Sequence, residues 1–144
     1  MLYFDTGCLV KLYYPEPDSP AVAGIARGQP LVYTVLHELE ISAALQLKIF
    51  RGEAKNEQSD AAQAAVDLDV AGGKLCRLSV SLREPFDRAV TLARQHAARI
   101  GCRSLDLLHC AVAATLDVEG FLSTDERQAA LAKAIGLPLL TIPY

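Results

Sequence analysis

The sequence has no long hydrophobic run, no paired metal-binding cysteines and no surplus of positive charge, and each absence removes a class of function. No apolar stretch approaches the ~20 residues that span a bilayer. The start, MLYFDTG, carries an early acid and no basic region, so neither a membrane helix nor a secretory signal is expected and cytoplasm is the expected location. Cys8, Cys76, Cys102 and Cys110 form no C-x-x-C pair and match no histidine spacing, which argues against zinc. They read as small core residues kept reduced. A net charge of −3 argues against a protein that grips nucleic acid by bulk positive charge. It leaves open a metal, held by carboxylates, that itself meets phosphate. Repeats, linkers and low-complexity segments are also missing. What is there is a globular composition, 51% hydrophobic and 22% charged, in 144 residues that fit a single domain spanning 1–144 with a full core.

Leu2-Tyr3-Phe4 is a short continuous apolar run that ends in Asp5, which reads as a parallel strand buried on both faces. Thr6 to Tyr14 reads as a short helix or turn stopped by Pro15 and Pro17. Asp18 or Ser19 can cap a helix to about Ala26, and Pro30 to Thr34 reads as a second strand. A long helix follows from Val35 to Phe50, with Leu36, Leu39, Ala43, Leu47 and Phe50 near helical spacing, closed by Arg51-Gly52. A second helix, Glu53 to about Asp69, completes a helical hairpin. Lys74 to Leu78 reads as a weak edge strand, and a helix with Pro85 near its first turn runs to Ile100. Ser104 is placed as the cap of a nearly all-apolar helix, Leu105 to Leu116. Gly120 to Ser123 reads as a strand, Ser123 or Thr124 as the cap of a helix from Asp125 to Ile135, and Pro138 to Ile142 as a last strand. Strands alternating with helices predict an α/β fold, a three-layer α/β/α sandwich around a mostly parallel sheet of about five strands.

Four acids fall at special places. Asp5 ends the first strand, where open α/β sheets bind ligands. Glu40 lies toward the border of the apolar stripe of its helix, and its neighbour Glu38 is expected to face solvent. Asp106 and Asp125 each sit at a helix start, where an acid also serves the macrodipole. Several carboxylates gathered near strand ends repel one another unless a cation lies between them. Oxygen-only ligation suits a hard ion such as Mg²⁺ or Mn²⁺, which can activate water and clamp phosphate oxygens.

The segments LYFDTGCLVKLYYPEP, TVLHELEISAALQLKIFRG, SLDLLHCAVAATL and FLSTDERQAALAKAIGL, in that order and spacing, resemble the PIN domain, and more narrowly the small VapC-like endoribonuclease toxins. The likeness covers essentially the whole chain. It implies an acidic pocket of Asp5, Glu40, Asp106 and Asp125 holding one or two divalent ions that activate water to cut RNA. Glu40, followed by Ala43-Ala44-Leu45, matches the family's helix acid, and Asp125 matches the acid that varies most. Thr6, Ser104 and Ser123 or Thr124 match hydroxyls that flank the acids. The resemblance also implies an RNA substrate, a small antitoxin partner and a homodimer, with surfaces on the helices starting near Val35 and Glu53.

Other residues weigh less. His109, one turn after Asp106, reads as a half-buried helix histidine, and His37 and His96 as surface residues. Lys11, Lys48, Arg51, Arg103 and Arg127 lie near loop or helix ends and are candidates to meet phosphate. Tyr3, Tyr13, Tyr14 and Tyr33 read as packing. A phospho-acceptor signalling domain would also gather acids at strand ends, but it wants paired acids early. Here Asp5 has no acidic neighbour until Glu16, and Lys133 lies within a helix. The remaining alternative is a catalytically silent PIN-like module that only binds partners.

Overall fold

A computed structural model of the chain describes residues Met1–Pro143. In chain order its first half contains β1 (Leu2–Phe4), α1 (Thr6–Val10), α2 (Ser19–Ala26), β2 (Leu31–Tyr33), α3 (Val35–Phe50), α4 (Asn56–Ala71) and β3 (Leu75–Arg77). Then come α5 (Arg83–Leu92), a π-helical stretch (Ala93–Ala97), α6 (Ala98–Ile100), α7 (Ser104–Thr115), β4 (Gly120–Leu122) and α8 (Glu126–Ala134). These residues form two compact units, one of Met1–Asp5 with Val80–Thr141, the other of Thr6–Ser79 with the chain end from Ile142.

In the first unit β1 runs parallel to β4, with Leu2 opposite Gly120 and Phe4 opposite Leu122. Tyr3 and Phe4 point to opposite faces of a strand, yet both are fully buried, so β1 is covered on both sides. Tyr3 stacks on Phe121 with ring centroids 5.6 Å apart. Gly120 permits this closeness: a Cβ there would lie 2.8 Å from Leu2 and 2.9 Å from Leu140. The helix α7 is buried from Asp106 to Ala113, as its nearly all-apolar sequence predicts.

In the second unit β2 pairs with β3, also parallel, and β3 is an edge strand. Leu31, Val32, Ile41, Leu45, Val66 and Leu75 are buried. Parallel pairing with flanking helices makes the fold α/β, as expected, with four strands among the described residues rather than about five. Pro138 to Ile142 forms only an isolated bridge, Phe121 to Leu139, because Pro138 has no N–H to donate to a longer ladder. α4 starts at Asn56 rather than Glu53, after a turn in which Gly52 takes φ 72°. The helix expected to run to Ile100 is interrupted by the π-helical stretch before Gly101, at φ 79°, ends α6.

Two expectations about α3 fail on its faces. Its buried side is Leu36, His37, Ile41 and Leu45, whereas Leu39, Leu47 and Phe50 are exposed, Phe50 by 87%. His37 is not a surface residue: it is fully buried, stacks on Tyr33 and accepts the Thr34 backbone N–H on Nδ1 at 3.1 Å. That bond draws on a lone pair of Nδ1. His96, on the π-helical stretch, is half-buried.

Candidate active site

The parallel register of β1 and β4 sets the centre of the site. Asp5 continues β1, its backbone N–H donating to Leu122 O at 2.9 Å, so its side chain leaves the strand end beside Ser123. Ser123 Oγ lies 2.5 Å from Asp5 Oδ2 and 2.8 Å from Gln128 Oε1, and accepts the Asp125 backbone N–H at 3.1 Å. One hydroxyl proton cannot serve two acceptors. Ser123 donates to the Asp5 carboxylate or to Gln128 Oε1, while Gln128 Nε2 faces the Asp106 carbonyl.

Gln128 is the residue that sequence reasoning missed. It is 2% exposed, on the first turn of α8, and its Nε2 lies 3.4 Å from Asp106 O. It therefore ties the strand end carrying Asp5 to the helix carrying Asp106. A signal for it was present: Asp125 followed by Gln128 has the N-cap-to-N3 spacing of a capping box.

Asp125, rather than Ser123 or Thr124, caps α8. Its Oδ1 accepts the backbone N–H groups of Arg127 at 2.8 Å and Gln128 at 3.1 Å. Its Oδ2 lies 3.7 Å from the Arg103 guanidinium. Arg103, rather than Ser104, is the N-cap of α7, and Asp106 Oδ2 accepts its backbone N–H at 2.9 Å. Asp106 and Asp5 are both buried, at 8% and 6% exposure, whereas the Asp125 side chain is 38% exposed. Ser104 and Thr124 are exposed, and Ser104 makes no hydrogen bond to these acids among the described residues.

In the other unit Thr6 Oγ1 donates to Glu40 at 2.8 Å, while Glu38 points outward to a 2.6 Å ion pair with Arg77. The expected contrast between the two glutamates holds. His109 packs as a core residue, 3% exposed with Nδ1 2.7 Å from Tyr3 Oη. Lys11 and Lys48 are paired to Asp18 at 2.7 Å and Glu16 at 3.0 Å, which leaves Arg103 as the expected phosphate contact that reaches the acids of the first unit. The Cys102 thiol is pushed up by burial, with the negative charge of Asp106 adding, and burial holds Cys110 higher still. Both stay protonated at neutral pH, which removes them as nucleophiles.

Among the described residues no group of three or more His, Cys, Asp or Glu side chains forms a ready-made metal cage. The donor chemistry of the first unit nevertheless fits a hard divalent ion. Asp5, Asp106 and Asp125 offer only oxygen, and Mg²⁺ usually keeps several waters and needs one or two direct carboxylates.

The PIN domain family model matches residues 2–134. Ribonuclease VapC46 of Mycobacterium tuberculosis (strain ATCC 25618 / H37Rv) is 30% identical over 150 aligned positions, covering 96% of this chain and 95% of that protein. The crystal structure of FitAcB from Neisseria gonorrhoeae matches with a TM-score of 0.68 at 11% identity, over 98% of this chain and 97% of the other, which shows a shared fold.

Proposed function

We propose, from the premise that this chain belongs to the PIN-domain family and is VapC-like, that it is a divalent-metal-dependent endoribonuclease. The observation that carries the proposal is the buried carboxylate at the end of β1, Asp5, oriented by Ser123 and Gln128 in the unit that also holds Asp106 and Asp125. Asp5 and Asp106 would hold the ion, with Asp125 completing the set through its outward oxygen. Glu40, fixed by Thr6, is assigned to the same chemistry by the family resemblance. The chemistry supplied by a bound Mg²⁺ or Mn²⁺ is a more acidic water and neutralisation of charge at phosphorus. The chain's own part is positioning. Ser123 fixes the Asp5 rotamer, the Asp106 carboxylate is pinned by the α7 cap, and burial keeps bulk water from both acids. The reaction class we assign is hydrolysis by water, with Ser123 orienting Asp5 rather than attacking phosphorus. One catalytic domain over 1–144, an antitoxin partner, a homodimer and a cytoplasmic location complete the reading. Among the described residues no helix is long and apolar enough to cross a membrane.

The test is cleavage of a mixed pool of cellular RNAs with Mn²⁺, Mg²⁺ or EDTA, by wild type and Asp5→Asn. Metal-dependent cuts that vanish in the variant are expected. Folded, partner-free wild-type protein that cuts nothing with either metal would favour the silent binding module instead.

A further inference from the structure

Arg103 occupies an unusual place among the acids. Its backbone N–H and its guanidinium Nε both meet Asp106 Oδ2, at 2.9 and 3.3 Å, while Nη2 lies 3.7 Å from Asp125 Oδ2. One cation thus spans two carboxylates that come from different helix starts. Its side chain is 73% exposed, and an ion pair at that exposure contributes little to stability. The fold does not need this charge, since the α7 cap is made by the Arg103 backbone. The charge matters where it sits: Asp125 spends Oδ1 on the α8 backbone, so the oxygen Arg103 approaches is the one left for a metal.

We propose that Arg103 is a resident counter-cation, a positioning residue that, anchored on Asp106, holds the outward Asp125 oxygen in the absence of metal and must be displaced for a divalent ion to bind there. It lowers the metal affinity of the site and makes activity sensitive to the free ion concentration. The inference rests on the metal-dependent reading of the same acids. An ordinary neighbour of a metal site weakens binding when it is removed; Arg103 acts with the opposite sign.

The experiment is calorimetric titration of MnCl₂ into metal-free wild type, Arg103→Gln and Arg103→Lys, without RNA, with melting curves in EDTA as a check on folding. Arg103→Gln is expected to bind Mn²⁺ about five-fold tighter, from the loss of one partly screened positive charge near the ion. Arg103→Lys, which keeps the charge, is expected within about two-fold of wild type. Unchanged or weaker binding in Arg103→Gln overturns the inference, as does a gain of equal size in Arg103→Lys. Absence of binding in wild type and both variants overturns the metal reading itself, a result distinct from either of these.

Discussion

Replacing Gln128 by leucine separates the fold from the site. The side chains are similar in volume, and position 128 is 2% exposed, so no large cavity opens. The loss is one good hydrogen bond, to Ser123 at 2.8 Å, which contributes about 1 kcal/mol net. The 3.4 Å approach to Asp106 O is long and adds little. Burying leucine in place of an amide returns about 1–2 kcal/mol. The backbone N–H of residue 128 still meets the Asp125 cap. The balance lies within about 1 kcal/mol of zero, which at this chain length moves Tm by no more than about 4 °C. Activity is expected to fall about tenfold or more, equivalent to ~1.4 kcal/mol, because Ser123 loses the contact that holds it against Asp5. The assay pairs a melting curve with initial rates at saturating Mn²⁺ on an RNA that wild type cuts. An unchanged rate in a variant of unchanged Tm would refute the role given to the Gln128–Ser123–Asp5 chain. A collapse in Tm would show instead that the amide is essential to the core.

Asp5→Asn keeps the shape and the contact with Ser123; RNA cutting is expected to disappear together with the rise in Tm that saturating Mn²⁺ gives wild type, about 2.7 kcal/mol of stabilisation at a hundred times Kd. Asp125→Ala removes the α8 cap and is expected to cost about 1 kcal/mol in urea unfolding. Asp125→Ser should recover most of that stability, because serine also caps, while leaving Mn²⁺ affinity as low as in the alanine variant. Asp69 is pulled below the usual aspartate range: burial works to raise it, but hydrogen bonds from Lys74 and Tyr13 outweigh burial. A depressed folded value gives stability that is present above the unfolded aspartate pKa, about 3.9, and is lost as pH falls through the folded value. The urea midpoint of wild type should therefore drop more between pH 5 and pH 3 than that of Asp69→Asn.

The boundaries of α3 were legible because the strand read over Pro30 to Thr34 ends just before it and Arg51-Gly52 closes it. Its faces were not. Leu36, Ile41 and Leu45 on one side and Leu39, Leu47 and Phe50 on the other are equally apolar, so spacing alone selects no unique inward stripe. His37 was misplaced for a related reason: its polarity suggested solvent, but at N3 of the helix its ring nitrogen answers the Thr34 N–H and its plane lies on Tyr33. The last strand is shorter than its apolar composition suggests because Pro138 accepts the Phe121 N–H but has none of its own to extend the bridge. Among the candidate acids, Asp5 and Asp106 stand out in the sequence because Asp5 ends a short apolar strand and Asp106 opens an apolar helix. Gln128 carries a sequence signal only for a helix start, its N3 spacing from Asp125; its place beside Ser123 emerges only when β4 brings the two together.

The register of β1 on β4 also decides where this chain can change length. Residues alternate faces along a strand, so a single insertion or deletion between Leu2 and Asp5, or between Gly120 and Ser123, would turn the acid or the hydroxyl to the wrong side. The turns at Gly52 and at Gly72–Gly73 carry no such constraint. Drift among descendants of this sequence should accumulate as length variation there, and leave the two short strands fixed in length even where their side chains are exchanged.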